Sequence, residues 1–324
     1  MGQFIKKVLF FTLLFIFISN LIFYIVSQWM QSFYFYDSNY KWLQKLENKP
    51  RLIFLGPSTA KLGLSCHIFG NVLDFSSGEV VNLASEAQTP IFSYYIFKEY
   101  QQYFQSKYIV AYILEPWVCS EYYYFNDGVL SVKWSFSQRL FFINSNKDYL
   151  RSLFGGNFAL AFKRIFRIYT TKNYTVPQDF GSGIIPQGAK VTNFQEPIEE
   201  WFWQNYFGVS HYQIEYLEKL KTEVENSGNT FILILLPKAK EWTSDYALKL
   251  KDYDNELISL LNTKLGRIKV IGSFKLVPLD LIPEMFADNV HLNSYGQEFV
   301  SYEIAKKLKF LNSDKEVIKN LYEY

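Results

Sequence analysis

Histidine and cysteine are scarce in this chain: three of the one and two of the other in 324 residues. His67 and His211 lack Cys, Asp or His partners at metal-ligand spacing, so no metal site is expected around them. Two cysteines, Cys66 and Cys119, are too few for a disulfide framework. The bland reading makes both small buried apolar residues, and a single bridge in an oxidising compartment stays open. Net charge is nearly absent as well, with 33 basic against 31 acidic residues and no basic stripe. Nucleic acid is therefore not expected as a partner. Neither a Walker loop nor a GxGxxG turn occurs, and no cofactor is expected. Internal repeats and low-complexity tracts are also missing.

Apolar side chains are abundant. At 49% hydrophobic the chain can fill a sizeable core, which excludes disorder over most of its length. Aromatics reach 19%, more than a core alone usually needs, and some are expected to line a groove or meet a membrane. Residues 8–29 carry no charge, and this run matches the roughly 20 residues that span a bilayer. Lys6 and Lys7 precede it and Trp29 ends it, which favours a cytoplasmic N-terminus with the rest of the chain outside the cytoplasm. A cleaved signal peptide fits less well, because the run is long and no small-x-small site follows it. Residues 1–30 thus read as a membrane anchor and 31–50 as a stalk.

Beyond the stalk, short apolar runs alternate with amphipathic stretches. Residues 51–55, 79–83, 108–114, 230–236 and 268–271 read as strands, and their continuous apolarity is that of strands buried on both faces. Residues 91–104, 213–226, 255–265 and 294–311 read as helices. The alternation predicts an α/β fold with a mostly parallel sheet and helices on both faces, over 51–118 and 211–324. Reactive groups in such sheets gather beyond the carboxyl ends of the strands. Residues 119–210 break the alternation and read as an inserted cap. They hold Tyr122, Tyr123, Tyr124, Phe125, Trp134, Trp201 and Trp203, as sugar-stacking rings or as subdomain core, and an Asn173 glycosylation triplet of little weight.

Two segments carry chemistry. Gly56-Pro57-Ser58-Thr59 follows the first strand, and Asp288-Asn289-Val290-His291 enters the last helix. Serine is a poor nucleophile unless a base takes its proton and a third group orients that base. His291 and Asp288 fit those two roles. The bland alternative makes Ser58 a helix N-cap and His291 a structural histidine.

These residues resemble the SGNH (GDSL-like) hydrolase superfamily. Gly56-Pro57-Ser58 stands where that family has its Gly-Asp-Ser turn, without the middle Asp. Asp288, His291, Leu292, Asn293 and Gly296 match its last block, and Asn82-Leu83 followed by a small loop matches its second. The resemblance implies a flavodoxin-like sheet, a Ser58–His291–Asp288 triad and an oxyanion hole built from the backbone N–H groups of Ser58 and Ala87. The third block departs: Ile113-Leu114-Glu115-Pro116-Trp117 has no Asn to serve as a further oxyanion donor. Glu115 and Trp117 are candidate substrate contacts, with a solvated carboxylate as the plain alternative for Glu115. An anchor, an SGNH-like domain and an aromatic insertion look most like envelope-polymer acyl-transfer proteins, with Leu236-Pro237-Lys238 in the same style.

The expected function is that of a membrane-anchored, extracytoplasmic serine acyltransferase or esterase on a cell-envelope polysaccharide or related polymer. Its acyl donor would come through a multi-spanning membrane partner. The alternative is a non-catalytic scaffold or binding protein in envelope polymer assembly, which the departed third block favours.

Overall fold

The computed structural model describes residues 3–11, 14, 17–18, 40–85, 88–120, 176–187, 208–239, 251–272, 283–288 and 290–311. The chain divides into two compact units, Met1–Lys41 with Leu130–Tyr174 and Trp42–Val129 with Thr175–Tyr324. In the first, residues 3–11 are helical. Most of the expected span over 8–29 lies outside the described residues, and among these no helix is long and apolar enough to cross a membrane.

The second unit is built on five strands: β1 Leu52–Leu55, β2 Val80–Asn82, β3 Ile109–Ile113, β4 Thr230–Leu235 and β5 Lys269–Gly272. All pairings are parallel and the order is β2-β1-β3-β4-β5. That is the flavodoxin-like order, with its switch point between β1 and β3. β1 is inaccessible over its whole length, as its unbroken Leu-Ile-Phe-Leu run predicts.

Six helices of this unit are described: α1 Ser58–Gly63, α2 Cys66–Leu73, α3 Pro90–Tyr100, α4 His211–Asn226, α5 Lys251–Leu265 and α6 Ser294–Leu311. Alternate strand residues Leu52, Phe54, Ala111, Ile113, Ile232 and Ile234 share one core with Phe69 of α2 and with Val300, Ile304 and Leu308 of α6. On the other face Tyr112 meets Ser93 of α3. Helix α4 packs on α3 and buries Ile214, Leu217, Leu220 and Val224, and Glu223 accepts from Tyr94 at 2.9 Å and pairs with Lys98 at 2.7 Å. Strand and helix ends fall within a few residues of the sequence reading. That reading did not include α1 and α2. Gly63 and Gly70 dilute the helical pattern there, and Ser65 restarts the helix by accepting from the Ile68 N–H at 3.4 Å.

The turn leaving β1 needs a glycine. Gly56 has φ +141°, and a Cβ on it would stand 2.7 Å from the Ile113 carbonyl oxygen and 3.0 Å from the Ile113 Cβ. The chain can thus turn into α1 while hugging the end of β3. Gly56→Ala is expected to lower stability by about 1–3 kcal/mol, since it adds backbone strain to overpacking. A urea unfolding curve matching wild type would contradict this.

Candidate active site

The site begins with a tight turn. Phe286 and Leu292 form an antiparallel bridge, and the Ala287 N–H donates to the His291 carbonyl at 2.9 Å. Inside the loop, Asp288 Oδ1 accepts from the backbone N–H of Val290 at 2.8 Å and of His291 at 2.7 Å. One carboxylate oxygen is thereby fixed to the chain and the other left for the ring. Oδ2 lies 2.7 Å from His291 Nδ1. The three-residue spacing read from sequence works through this backbone anchoring.

Asn293 carries the turn into α6. Its side-chain oxygen accepts from the N–H groups of Tyr295 and Gly296, both at 3.1 Å, and its amide donates to the Glu284 carbonyl at 2.6 Å. A Cβ on Gly296 would stand 2.2 Å from the Met285 carbonyl oxygen, so only glycine permits this contact. These ties hold the imidazole against the start of α1.

Ser58 is the first residue of α1. Pro57 occupies the N-cap position without a side-chain cap bond, and the Ser58 Oγ lies 2.9 Å from His291 Nε2. The N-cap reading of Ser58 is set aside by this placement. As a first helical residue, Ser58 has no intrahelical acceptor for its backbone N–H. With Nδ1 protonated toward Asp288, Nε2 is the ring nitrogen that accepts from the serine hydroxyl. Burial would raise the Asp288 carboxyl, but the imidazole and the two backbone N–H donors hold it below the ordinary value of 3.8. Ala87 lies outside the described residues. Near it in the chain, the Ser85 N–H donates to the Gly56 carbonyl at 3.1 Å and the Ser85 hydroxyl donates to Gln88 Oε1 at 3.0 Å. Asn82 ties the end of β2 to α1 by donating to the Ala60 carbonyl at 2.9 Å.

Glu115 and Lys238 stand at the same edge, just beyond β3 and β4. Glu115 is wholly buried, not solvated as its plain alternative had it, and the Lys238 ammonium donates to its Oε1. Burial pushes the Glu115 carboxyl up and the Lys238 ammonium down, each partly offset by the attraction of the other. The Lys238 Nζ also lies 5.0 Å from the centroid of the Trp117 ring, which is itself buried. In the sequence Lys238 stands out only within Leu236-Pro237-Lys238. Opposite charges closing the otherwise apolar runs of β3 and β4 were the available signal.

A strap from the insertion also belongs to the site. The Gly183 N–H donates to the Lys61 carbonyl of α1 at 2.7 Å, the Ser294 N–H donates to the Ile185 carbonyl at 2.6 Å, and the Gln297 amide reaches the Gly183 carbonyl at 2.7 Å. Residues 183–185 thus bridge the helix of Ser58 and the helix behind His291. The aromatic residues singled out in the insertion, and Asn173, lie outside the described residues. Cys66 and Cys119 are free, buried thiols, with burial pushing both up. His67 takes part in a hydrogen bond with Asn71 one turn along α2, and His211 opens α4; neither joins the site. Among the described residues no group of three potential metal ligands comes together.

At the carboxyl edge of the parallel sheet the serine, imidazole and carboxylate thus stand in line, the order in which a nucleophile, a base and an orienting carboxylate are arranged. No family model matches the chain, and no curated protein matches it.

The folded Asp288 carboxyl lies below its unfolded value, so its ionised form adds stability above that range and the contribution is lost as acid protonates the folded chain. The stability gap between wild type and Asp288→Asn is expected to be widest near neutral pH and to shrink as the pH falls below 3.8. Urea midpoints measured across that range test it; a constant gap contradicts the assignment.

Proposed function

We propose that this chain is a serine acyltransferase or esterase, anchored in a membrane with its SGNH-like α/β unit outside the cytoplasm, and that it acts on a cell-envelope polysaccharide or related polymer. The observation that carries the acyl-transfer part is the unbroken line Ser58 Oγ, His291 Nε2, His291 Nδ1, Asp288 Oδ2, with contacts of 2.9 and 2.7 Å. The uncharged run over 8–29 after Lys6 and Lys7 supports the anchor and its orientation. The aromatic insertion supports a sugar polymer over a free lipid.

In this mechanism Ser58 Oγ attacks the carbonyl carbon of an acyl ester or thioester as its proton passes to His291 Nε2. Asp288 stabilises the imidazolium without taking its proton. The backbone N–H groups of Ser58 and Ala87 hold the tetrahedral oxyanion. Collapse expels the leaving group, which receives the proton from His291, and leaves an acyl-serine. A sugar hydroxyl or water, deprotonated by the same imidazole, then takes the acyl group. The donor would be delivered by a multi-spanning membrane partner.

A fluorophosphonate probe is expected to label wild type at Ser58. Ser58→Ala, His291→Ala and the double variant should each lose activity on acetylated glycan by at least about 10³-fold, with little further loss in the double. Full activity in folded Ser58→Ala would reject the nucleophile. For the anchor, a C-terminal alkaline phosphatase fusion should be active and a C-terminal fluorescent fusion dark in the cytoplasm. The reverse pattern rejects the orientation.

A further inference from the structure

The serine relay leaves one pair of buried charges without a part. Glu115 stands two residues after β3 and Lys238 three after β4, and their side chains are 0% and 3% exposed. Thoroughly desolvated ion pairs are poor stabilisers: well-packed apolar residues of the same volume often give an equally stable or more stable fold. Stability therefore does not account for this pair. Its surroundings offer a better account. The Glu115 carboxylate lies within electrostatic reach of the His291 imidazole, and the Lys238 ammonium within reach of the Asp288 carboxylate. The Thr59 hydroxyl, next in the chain to the nucleophile, lies beside Glu115 without completing a hydrogen bond. The relay, when charged, is a dipole with its positive end on His291 and its negative end on Asp288. The buried pair leaves β3 and β4 at the edge where β1 releases Ser58, with Glu115 acting on His291 and Lys238 on Asp288.

We propose that the Glu115–Lys238 pair is a positioning element of the relay, whose carboxylate acts on the His291 imidazole as Ser58 gives up its proton and whose ammonium acts on Asp288. This rests on the serine acyl-transfer reading and adds to it a use for the third block's departure. In place of a neutral Asn donor to the oxyanion, the edge holds a charge pair that acts on the base. Buried charges that act on a proton relay alter its rate on the order of tenfold.

The test is the second-order rate of fluorophosphonate labelling of the full-length chain. In that reaction Ser58 Oγ forms a bond to phosphorus, the phosphorus–fluorine bond breaks with loss of fluoride, and the serine proton passes to His291. Glu115→Gln with Lys238→Met removes both charges and strands neither. It is expected to melt no lower than wild type and to label about tenfold more slowly. Glu115→Lys with Lys238→Glu keeps a pair but reverses its sense, and is expected to label more slowly still. A pair that only held the loops together would be restored by the swap. Wild-type labelling rates in either folded variant, beside an unlabelled Ser58→Ala, overturn the inference and leave the serine reading standing. A wild type that Ser58→Ala cannot be told from overturns the serine reading, and the inference with it.

Discussion

The carboxyl edge of the parallel sheet is the constraint from which the site follows. Leu55, Tyr112 and Leu233 stand in one register across β1, β3 and β4. Parallel strands about 4.8 Å apart release their loops on the same side. Ser58, Glu115 and Lys238 therefore emerge within a few residues of one line, although 180 positions separate the first from the last. The order β2-β1-β3 places the loop of β1 between those of its two neighbours, with Asn82 closing one flank and Ile113 pressed against Gly56 on the other. The apolar interior thus decides where the polar chemistry sits.

The histidine arrives by a different route. Its turn is local, closed by the Phe286–Leu292 bridge and by the Asp288 carboxylate's own backbone bonds. What fixes the turn against Ser58 is long-range: Gly296 on the Met285 carbonyl, Gln297 on Leu64 and Gly183, and the strap carrying Gly183 and Ile185. A loop with few buried apolar contacts orders only where its backbone groups find partners. Here Lys61 and Ser294 supply them. The insertion consequently bears directly on the separation of nucleophile and base.

The strands were legible because burial on both faces demands unbroken apolar runs, and the relay was legible because serine, histidine and aspartate stood in turns at predicted element ends. The short helices α1 and α2 were not, since glycines at 63 and 70 blur their period. The strap could not be read at all: its bonds run mostly between backbone N–H and C=O groups, which every residue carries. Glu115 and Lys238, 123 residues apart, became a pair only through the adjacency of β3 and β4. A charge after an apolar run reads from sequence as a strand end meeting solvent. Tertiary packing buried both.

Two carboxylates now lie buried at one edge, and their environments push them in opposite directions. Asp288 has two backbone N–H donors and an imidazole, and it is held below the ordinary range. Glu115 has the Lys238 ammonium on Oε1 and no hydrogen-bond partner on Oε2 among the described residues, and burial pushes it up. Environments that diverge in this way assign different tasks to chemically similar groups. Asp288 is suited to remain charged beside a ring that gains a proton. The Lys238 ammonium offsets part of the burial of the Glu115 carboxylate, and removing either partner strands the other at a cost of about 3–5 kcal/mol. The two residues must therefore change together or not at all, whereas the hydrogen bonds of Asp288 all lie within its own turn.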